Sequence, residues 1–545
     1  MAELPSPRYD AWYTYAELTE HLRTTADARP DLCSLRSLGQ SPEGREIWML
    51  EVADRSGGPT EQRPAFLVHA NIHAKEVAGT NSSLCLVHEL LSGAPDYLDS
   101  ASLLREVTFY VVPRLNPDGA EFALSTGADI RSRTEEWIEP NCLVRQDLDG
   151  DGAIVDMRIE RPDGTMKALA EDPRVMVRRE ATDTEGPFYV VYPEGVVHEW
   201  DGGEVRLSCG RSHDFNRNWP ANWHQEHEQG GAGDFPFSEP EMRALADFVY
   251  AHPGIFAILG FHCGSSAVLM PPSTGSLDSI IPADRKVFEE LGQRAAELTG
   301  LKLLPTIDYR SADQPPAELR GHSADWGYLH MGLFHFEIEQ GNIFNAAGVS
   351  TQDFFAAPAD ERDRFLLDAI RYHDEHPEQA MFVDWHEFDH PQFGRVEIGG
   401  WKKYWMINPS FADLRERIAP GSARFIIEYA ARRPRLVISE ARAEALGGGV
   451  HRVRARVMND GALPTNISAR ALVLRSLRPV TVELLVGPGV ELLSLGRQRQ
   501  IGHLGPRRQS AELEWFVRAE RGGQVTVRAT SQKAGSAERA VQLNG

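Results

Sequence analysis

The hydrophobic pattern of the chain changes near residue 433, and this change limits the folds that the chain can adopt. From about residue 9 to 430, strand-like apolar runs alternate with stretches of helical periodicity, which is typical of a sheet covered by helices. After residue 433, several short segments alternate with period two and no helical stretch intervenes, as in a β-sandwich. A chain of 545 residues is also too long for one core. We therefore predict an α/β unit over 1–432 and an all-β sandwich over 433–545.

Within the α/β unit, apolar runs predict individual elements. Runs of apolar residues predict strands at 46–53, 65–69, 107–112, 255–261 and 332–338. Residues 77–91 have apolar positions in helical rhythm and predict a helix directly after the second of these strands. The stretch of about 126–210 is polar, charged and rich in turn residues. We therefore expect it to be a long insertion in the α/β unit.

Composition argues against several classes of partner. Acidic residues outnumber basic residues by 79 to 57, for a formal net charge of -22, so a polyphosphate surface would be repelled and no nucleic acid partner is expected. No apolar run reaches the length of about 18 residues that a membrane helix needs. The five cysteines are scattered without C-x-x-C spacing, which argues against a disulfide scaffold. Together with an N-terminus that lacks the pattern of a secretory signal, they favour a cytoplasmic location.

His73 and Glu76 lie between a predicted strand and the helix that follows it, where side chains project into a cleft at the end of a sheet. A His and a Glu three residues apart can bind one Zn²⁺ together. The spacing alone is not specific, because other His-x-x-acidic pairs occur at His198/Asp201, His322/Asp325 and His386/Asp389. The surrounding motifs therefore decide how this pair is interpreted.

Six motifs follow one another in a recognisable order. They are the segment 15–52 with its Gly-x-Ser-x-x-Gly-Arg turn, the His73–Glu76 pair, the NPDG turn at Asn116–Gly119, the DFNRNW segment at Asp214–Trp219, Phe261–His262 at a strand end, and Glu337 in HFEI after Asp325–Trp326. Over about residues 12–345 they resemble the zinc carboxypeptidases of the carboxypeptidase A type, the M14 metallopeptidases. The resemblance implies a mixed sheet sandwiched by helices. It also implies one Zn²⁺ per chain, bound by His73, Glu76 and His262.

The residue types of this site suit hydrolysis. Two neutral imidazoles and one carboxylate leave Zn²⁺ with one net positive charge and an open fourth position for water, as in catalytic zinc sites. The metal would act as a Lewis acid and activate that water, and a carboxylate must transfer the proton. The resemblance assigns this catalytic role to Glu337. Glu339 is the alternative, because residues i and i+2 of a strand share a face.

Asn216 and Arg217 are implied to bind the substrate. A guanidinium offers two parallel donors to a carboxylate and the amide adds a third, so a peptide with a free C-terminus is the expected partner. The implied activity is removal of a C-terminal residue by a metallocarboxypeptidase. Ala324 would line the specificity pocket, which argues against dedication to C-terminal Lys or Arg. The alternatives are a cell-wall γ-D-glutamyl peptidase or a polyglutamate-trimming peptidase of the same family, and a non-catalytic module that binds a peptide terminus.

Two residues of the family's site have no unique match in this sequence. The arginine that polarises the substrate carbonyl could be Arg145, Arg206 or Arg211, because the insertion obscures the register. The family's substrate-binding Tyr normally lies a few residues before the Asp-Trp pair, but residues 316–324 contain no Tyr. Tyr309 is the nearest and either serves from a longer loop or leaves the role unfilled.

The insertion contains a second candidate metal site. Residues 147–154 (DLDGDGAI) match the first eight positions of a helix-flanked calcium loop, but position 12 is Arg158, where a bidentate Glu would be needed. One interpretation is a modified Ca²⁺ site with Asp147, Asp149 and Asp151 as ligands. The other is a polar turn whose Asp side chains form Asx-turns.

Overall fold

The computed structural model of the protein describes residues 3–93, 100–135, 139–207, 210–309, 318–344, 357–519 and 523–544. Before the insertion it contains α1 (Tyr15–Ala28), β1 (Cys33–Gln40), β2 (Glu46–Val52), β3 (Ala65–Ala70), α2 (Ala78–Ser92), α3 (Ser100–Glu106), β4 (Thr108–Val112) and α4 (Pro117–Thr126). The strands and the helix predicted for this part are all present, with boundaries that differ by one or two residues.

The insertion is a run of short strands. They are β5 (Arg133–Glu135), β6 (Cys142–Arg145), β7 (Asp156–Glu160), β8 (Met166–Ala168), β9 (Met176–Arg178), β10 (Tyr189–Pro193), β11 (Gly195–His198) and β12 (Arg211–His213).

The α/β unit then resumes. It continues with α5 (Pro240–Ala251), β13 (Ile255–His262), β14 (Ser266–Met270), α6 (Pro282–Thr299), β15 (Lys302–Pro305), α7 (Ser323–Leu329), β16 (Phe334–Gln340), α8 (Ala359–Glu375), β17 (Phe382–His390), β18 (Gly394–Trp401), α9 (Lys403–Ile407), α10 (Phe411–Asp413) and α11 (Ala419–Ala431). Among the described residues, no helix combines the length and the apolar character that crossing a membrane requires.

An eight-stranded mixed sheet forms the centre of the α/β unit, in the order β1-β2-β4-β3-β13-β16-β14-β15. Its four central strands, β4, β3, β13 and β16, are parallel to one another. Every residue of β3 and β13 is buried, as expected of central parallel strands covered on both faces by helices. The predicted α/β fold with a mixed sheet is confirmed. Because parallel strands end at the same edge, the segments after β3 and β13 meet there.

The insertion shares its largest sheet with a later part of the chain. Its strands β7, β10, β8 and β9 join β17 and β18 in one six-stranded sheet, so segments more than 200 residues apart share a core that includes Met157, Ile159 and Ile398. The sequence predicts the insertion but not this pairing, because strand periodicity carries no information on which distant strand is the partner.

The C-terminal unit is an all-β sandwich, as predicted. Its strands are β19 (Leu436–Gly447), β20 (Val450–Asn459), β21 (Thr481–Val486), β22 (Glu491–Leu492), β23 (Gln498–Gln500), β24 (Ser510–Arg518), β25 (Gly523–Ser531) and β26 (Gly535–Leu543), with one short helix, α12 (Ala469–Leu474). They form two four-stranded sheets, β19-β20-β24-β22 and β23-β21-β25-β26. Inward-facing residues such as Val453, Trp515 and Val527 form the core between them.

Buried polar contacts attach the sandwich to the α/β unit. The carboxylate of Asp284 in α6 accepts hydrogen bonds from the backbone nitrogens of Ala469 (2.7 Å) and Arg470 (2.9 Å) at the start of α12. Lys533 of the sandwich is buried and donates to the carbonyl oxygen of Ile255, the first residue of β13. Burial lowers the pKa of this lysine to about 7. The sandwich therefore supports the amino end of the strand whose other end is His262.

Substitution of Asp284 tests this attachment. Asp284→Ala removes the acceptor of two backbone N–H groups and of the Tyr328 hydroxyl, so we expect it to reduce stability by about 3 kcal/mol. Asp247→Ala on the exposed face of α5 is the matched control and should leave the thermal midpoint nearly unchanged. Equal midpoints for the two variants would contradict the proposed role of Asp284.

Candidate metal centre

The loop after β3 carries His73 and Glu76, and a buried asparagine fixes its backbone. Asn71 has a positive φ of 55°, which asparagine adopts more readily than most residues because its short side chain can bond locally. Its amide nitrogen donates to the carbonyl oxygens of His73 (2.7 Å) and Ala74 (3.2 Å). This turn directs the side chains of His73 and Glu76 toward the end of β13.

Asn116, the first residue of the NPDG turn, supports the same loop. Its amide nitrogen donates to the carbonyl oxygens of Ser132 (2.9 Å) and Ile72 (3.3 Å). The backbone nitrogen of Ala74 donates to the carbonyl oxygen of Arg131 at 2.8 Å. The turn motif therefore ties the loop of His73 to the segment that contains Arg131.

Three buried side chains meet at this point. His262 is the last residue of β13, and its Nδ1 atom lies 3.3 Å from Nδ1 of His73. Glu76 bridges the two rings, with Oε1 2.8 Å from His73 Nδ1 and Oε2 3.0 Å from His262 Nδ1. Burial alone would raise the pKa of Glu76, but the two imidazoles outweigh burial and hold that pKa well below its usual range.

The donor set and the spacing of this triad fit a Zn²⁺ ion. His73, Glu76 and His262 are 3%, 2% and 1% exposed, and their potential ligand atoms all lie within 4.8 Å of one another. Ligand atoms of a tetrahedral site with zinc–nitrogen bonds of 2.0–2.1 Å are about 3.3 Å apart, which matches the observed Nδ1–Nδ1 distance of 3.3 Å. The structure thus brings the three predicted ligands together in an arrangement that can hold a metal.

Asp214 and Arg131 orient the triad. Nε2 of His73 lies 3.0 Å from Oδ1 of Asp214, which favours the proton on Nε2 and leaves Nδ1 as the metal-binding nitrogen. Arg131 donates through Nε to Asp214 Oδ2 (2.9 Å) and through Nη1 to Glu76 Oε1 (3.0 Å). Burial alone would raise the pKa of Asp214, but Arg131 and Arg217 hold it well below its usual range.

Arg131 is the arginine beside the triad, and it was not among the three candidates predicted from the sequence. The three sequence candidates bind elsewhere: Arg145 to the carbonyl of Asp129, Arg206 to Glu139, and Arg211 to Asp234 and Glu226. Arg131 follows the end of α4 by only five residues. A register counted forward along the sequence from the NPDG turn reaches Arg131 near the start of the insertion. A register counted back from Asp214 has to cross the insertion first.

Arg217 lies next to the residues that orient the triad. It ends a single 3₁₀ turn, Phe215–Arg217, and donates through Nη1 to the carbonyl oxygen of Asn216 at 2.7 Å. Its Nη2 atom is 4.0 Å from Oδ2 of Asp214, which is beyond hydrogen-bonding distance. The guanidinium is therefore close to the triad without being fully engaged by a protein carboxylate.

Asn216 is held by the start of α7. Its Oδ1 atom accepts a hydrogen bond from the backbone nitrogen of Ser323 at 2.9 Å. Its amide nitrogen lies 3.2 Å from both Nε2 of His322 and Oε1 of Glu337. The amide of Asn216 is thus directed at these two side chains, whereas the prediction from the sequence was that it binds the substrate.

The two glutamates of β16 share a face but have different surroundings. In the parallel pairing with β13, Glu339 lies opposite His262, whereas Glu337 lies opposite Gly260 and so two residues further from the sheet edge. The charged neighbours that act on Glu339 include Glu76, His262 and Arg131. Glu339 therefore lies beside the triad, and its placement favours it over Glu337 as the carboxylate next to a bound metal.

Glu337 lies beneath the triad. Its carboxylate accepts a hydrogen bond from the hydroxyl of Ser323, and Oε2 lies 3.2 Å from Nε2 of His322. The Oε1 atom of Glu337 approaches the triad only at His262, where it lies 3.6 Å from Nε2. This nitrogen is on the side of the His262 ring that faces away from His73 and Glu76. The position of Glu337 therefore does not support the prediction that it is the catalytic carboxylate. The sequence shows that both glutamates lie on one face of the strand, but it does not show which of them is nearer to the edge of the sheet.

Tyr309 also belongs to this site. Burial, followed by the charge of Glu339, raises the pKa of its hydroxyl well above the usual value. Burial and the negative charge of Glu76 raise the pKa of Glu339 itself to about 8. Ala324, the expected pocket residue, is fully buried in the first turn of α7.

The acidic loop of the insertion forms the Asx-turns that were one of its two interpretations. Asp147, Asp149 and Asp151 each accept hydrogen bonds from backbone N–H groups of the same loop. Carboxylate oxygens of Asp147 and Asp149 lie near that of Glu194, which itself accepts from the backbone nitrogens of Leu148 and Val155. These internal hydrogen bonds account for the cluster, and calcium binding is not supported.

One cysteine departs from the expected pattern. Cys142 is disulfide-bonded, whereas Cys33, Cys85 and Cys263 are buried free thiols. The cytoplasmic location stays a prediction.

Sequence comparison is consistent with the geometry of the site. The family model described as zinc carboxypeptidase matches residues 18–362, which is more than half of the chain. The chain belongs to the zinc carboxypeptidase family. Membership in this family of peptide hydrolases confirms the resemblance seen in the motifs and implies Zn²⁺ as the bound metal. A second model, of a domain of unknown function, matches residues 435–542, within the β-sandwich.

Individual relatives match only in part. A zinc carboxypeptidase of Saccharothrix mutabilis subsp. capreolus is 28% identical over 120 residues, which are 22% of this chain and 27% of the relative. Carboxypeptidase D of Anas platyrhynchos is 34% identical over 113 residues, 21% of this chain and 8% of the relative. The chain therefore spans about a quarter or less of these two relatives. Among solved structures, carboxypeptidase A from Helicoverpa armigera has 16% identity and a TM-score of 0.42, covering 68% of this chain and 75% of that one.

Removal of one imidazole of the triad should abolish tight metal binding. We expect about one zinc per chain in the wild-type protein and at least a tenfold lower content in His73→Ala, because zinc sites need three protein ligands. His227→Ala, whose side chain is 73% exposed, is the control and should keep its zinc. Elemental analysis after dialysis measures this, and equal zinc in the two variants would exclude His73 as a ligand.

Proposed function

We propose that the protein is a zinc-dependent carboxypeptidase that hydrolyses the C-terminal peptide bond of a peptide. One observation carries the proposal: the triad, the carboxylate of Glu339 and the guanidinium of Arg217 lie at one edge of the central sheet. Glu339 neighbours Glu76 and His262, and Arg217 reaches the triad through Asp214. Metal, base and anchor are thus close enough to act on a single peptide.

Glu339 is proposed as the group that accepts a proton from water and returns it to the leaving amine. Zinc bound by the triad would supply a Lewis acid for the scissile carbonyl and make the attacking water more acidic. The Oε2 atom of Glu339 is buried and has no hydrogen-bond partner among the described residues, so it is available as an acceptor. Burial and the negative charge of Glu76 raise the pKa of Glu339, and a cation bound by the triad would offset that charge and favour the ionised carboxylate as proton acceptor.

Arg131 is proposed to stabilise the oxyanion that develops at the scissile carbonyl. Its side chain is 42% exposed although it donates to both Glu76 and Asp214. A guanidinium has five N–H donors, and Arg131 uses two of them on these carboxylates. The remaining donors can bind the carbonyl oxygen beside the metal, the position at which negative charge develops.

Arg217 is proposed to bind the C-terminal carboxylate of the peptide. The side chain is 11% exposed, and the closest carboxylate among the described residues, that of Asp214 at 4.0 Å, does not form a bidentate pair with it. Planar guanidinium and carboxylate groups pair through two parallel hydrogen bonds, so a free C-terminus would complete this site. Such an anchor restricts cleavage to the terminal residue and explains exopeptidase rather than endopeptidase action.

Loss of the Glu339 carboxylate should separate catalysis from metal binding. We expect Glu339→Gln to lower kcat by about 10²–10⁴, the usual contribution of general acid–base catalysis, with zinc content unchanged. Glu387→Gln on β17, where the side chain is 65% exposed, should retain wild-type kcat. The assay is release of the terminal amino acid from a peptide library, with and without chelator. A fully active Glu339→Gln would exclude this residue as the base.

Changes at Arg217 should depend on the peptide terminus. For peptides with a free C-terminus we expect Arg217→Ala to lower kcat/KM by about 100-fold, because two charge-assisted hydrogen bonds are lost. Arg217→Lys keeps the charge but not the paired geometry and should fall between the wild type and the alanine variant. Amidated peptides should be affected little. Equal losses for free and amidated termini would argue against terminal anchoring by Arg217.

A further inference from the structure

Glu337 occupies a polar site that is built around its carboxylate. The side chain is 1% exposed, and Ser323 and Asn216 both donate to its Oε1 atom. Oε2 lies 3.2 Å from Nε2 of His322. A carboxylate held in this way by neighbouring donors is fixed in one orientation and is not free to swing toward a substrate.

His262 presents a donor that needs such an acceptor. Its Nδ1 atom faces Glu76 and His73, so binding of a metal there would leave the ring proton on Nε2. Nε2 is buried and has no hydrogen-bond partner among the described residues, and an unpaired buried donor costs about 1–3 kcal/mol. The Oε1 atom of Glu337 lies 3.6 Å from this nitrogen.

The other imidazole of the triad shows what such a contact does. His73 also faces the triad through Nδ1, and its Nε2 lies 3.0 Å from the carboxylate of Asp214. Carboxylates in this position fix the tautomer and the orientation of a metal-binding imidazole and increase its basicity. Glu337 stands in the same relation to His262 as Asp214 does to His73, apart from the longer distance.

We infer that Glu337 is a positioning residue, whose carboxylate accepts the Nε2 proton of His262 and holds this imidazole toward the metal. A carboxylate on each of the two imidazoles would then orient both nitrogen ligands from outside the triad. Glu337 is also hydrogen-bonded to Asn216, the neighbour of Arg217 in the chain, so the same carboxylate links the metal site to the segment proposed to bind the peptide terminus. The inference rests on the zinc centre of the proposed function, but not on the hydrolysis of any particular peptide.

Zinc affinity is the quantity that this role predicts. Loss of a carboxylate that orients a metal-bound imidazole typically weakens metal binding by 10–100-fold, so we expect about this loss in Glu337→Gln, measured by competition with a chromogenic chelator. Glu339→Gln is the matched control, since it makes the same substitution on the same face of β16. It should alter zinc affinity by no more than about threefold. Circular dichroism of the metal-free proteins verifies that both variants are folded.

A second variant covers the case in which Glu337→Gln does not fold. Ser323→Ala removes the hydroxyl that fixes Glu337 and leaves the carboxylate in place, so we expect a smaller loss of zinc affinity, about threefold. The absorption bands of the Co²⁺-substituted protein should change in Glu337→Gln and Ser323→Ala, because ligand orientation changes. They should not change in Ser279→Ala, an exposed serine remote from β16.

The outcomes decide between positioning and other roles. Wild-type zinc affinity in Glu337→Gln and in Ser323→Ala would overturn the inference, as would equal losses in Glu337→Gln and Glu339→Gln. A higher KM confined to peptides with a cationic C-terminal residue, with zinc affinity unchanged, would also overturn it and make Glu337 a specificity residue. If the wild-type protein binds zinc but hydrolyses no peptide, the proposed function fails while the zinc titrations still test the role of Glu337.

Discussion

A buried carboxylate between two imidazoles is the interaction on which the rest of this site depends. Glu76 touches both His73 and His262, and none of the three side chains is more than 3% exposed. Burying a charged group is costly unless it is paired or bound to a metal. A divalent cation bound by the three groups would compensate for the burial of the carboxylate and use both facing nitrogens as ligands.

The fold provides this arrangement through backbone geometry far from the reacting atoms. Parallel pairing places the end of β3 beside the end of β13, and Asn71 and Asn116 then fix the loop that carries His73 and Glu76. The β-sandwich contributes at the opposite end of β13, where the buried Lys533 holds the first residue of the strand. The polar residues around Glu337 form a further layer beneath the triad, and their hydrogen bonds hold Glu337 and Asn216 in place.

The sequence was sufficient to predict the two-unit architecture and the three side chains of the triad. The change from mixed to period-two hydrophobic patterning indicated the sandwich, and motif order indicated His73, Glu76 and His262. The sequence could not distinguish Glu337 from Glu339, because strand periodicity assigns both to one face of β16. Their distances from the edge of the sheet depend on the register of β16 with β13. Arg131 was missed because the register was counted across the insertion. The pairing of insertion strands with β17 and β18 depends on long-range packing that local patterns do not encode.

Anomalous X-ray diffraction at the zinc absorption edge, on crystals of the protein purified with zinc, tests the central claim most directly. We expect one strong peak within about 2.0–2.2 Å of Nδ1 of His73, Nδ1 of His262 and a carboxylate oxygen of Glu76. A map without a peak between these three side chains, or with the zinc peak on the acidic loop of the insertion instead, would contradict the account.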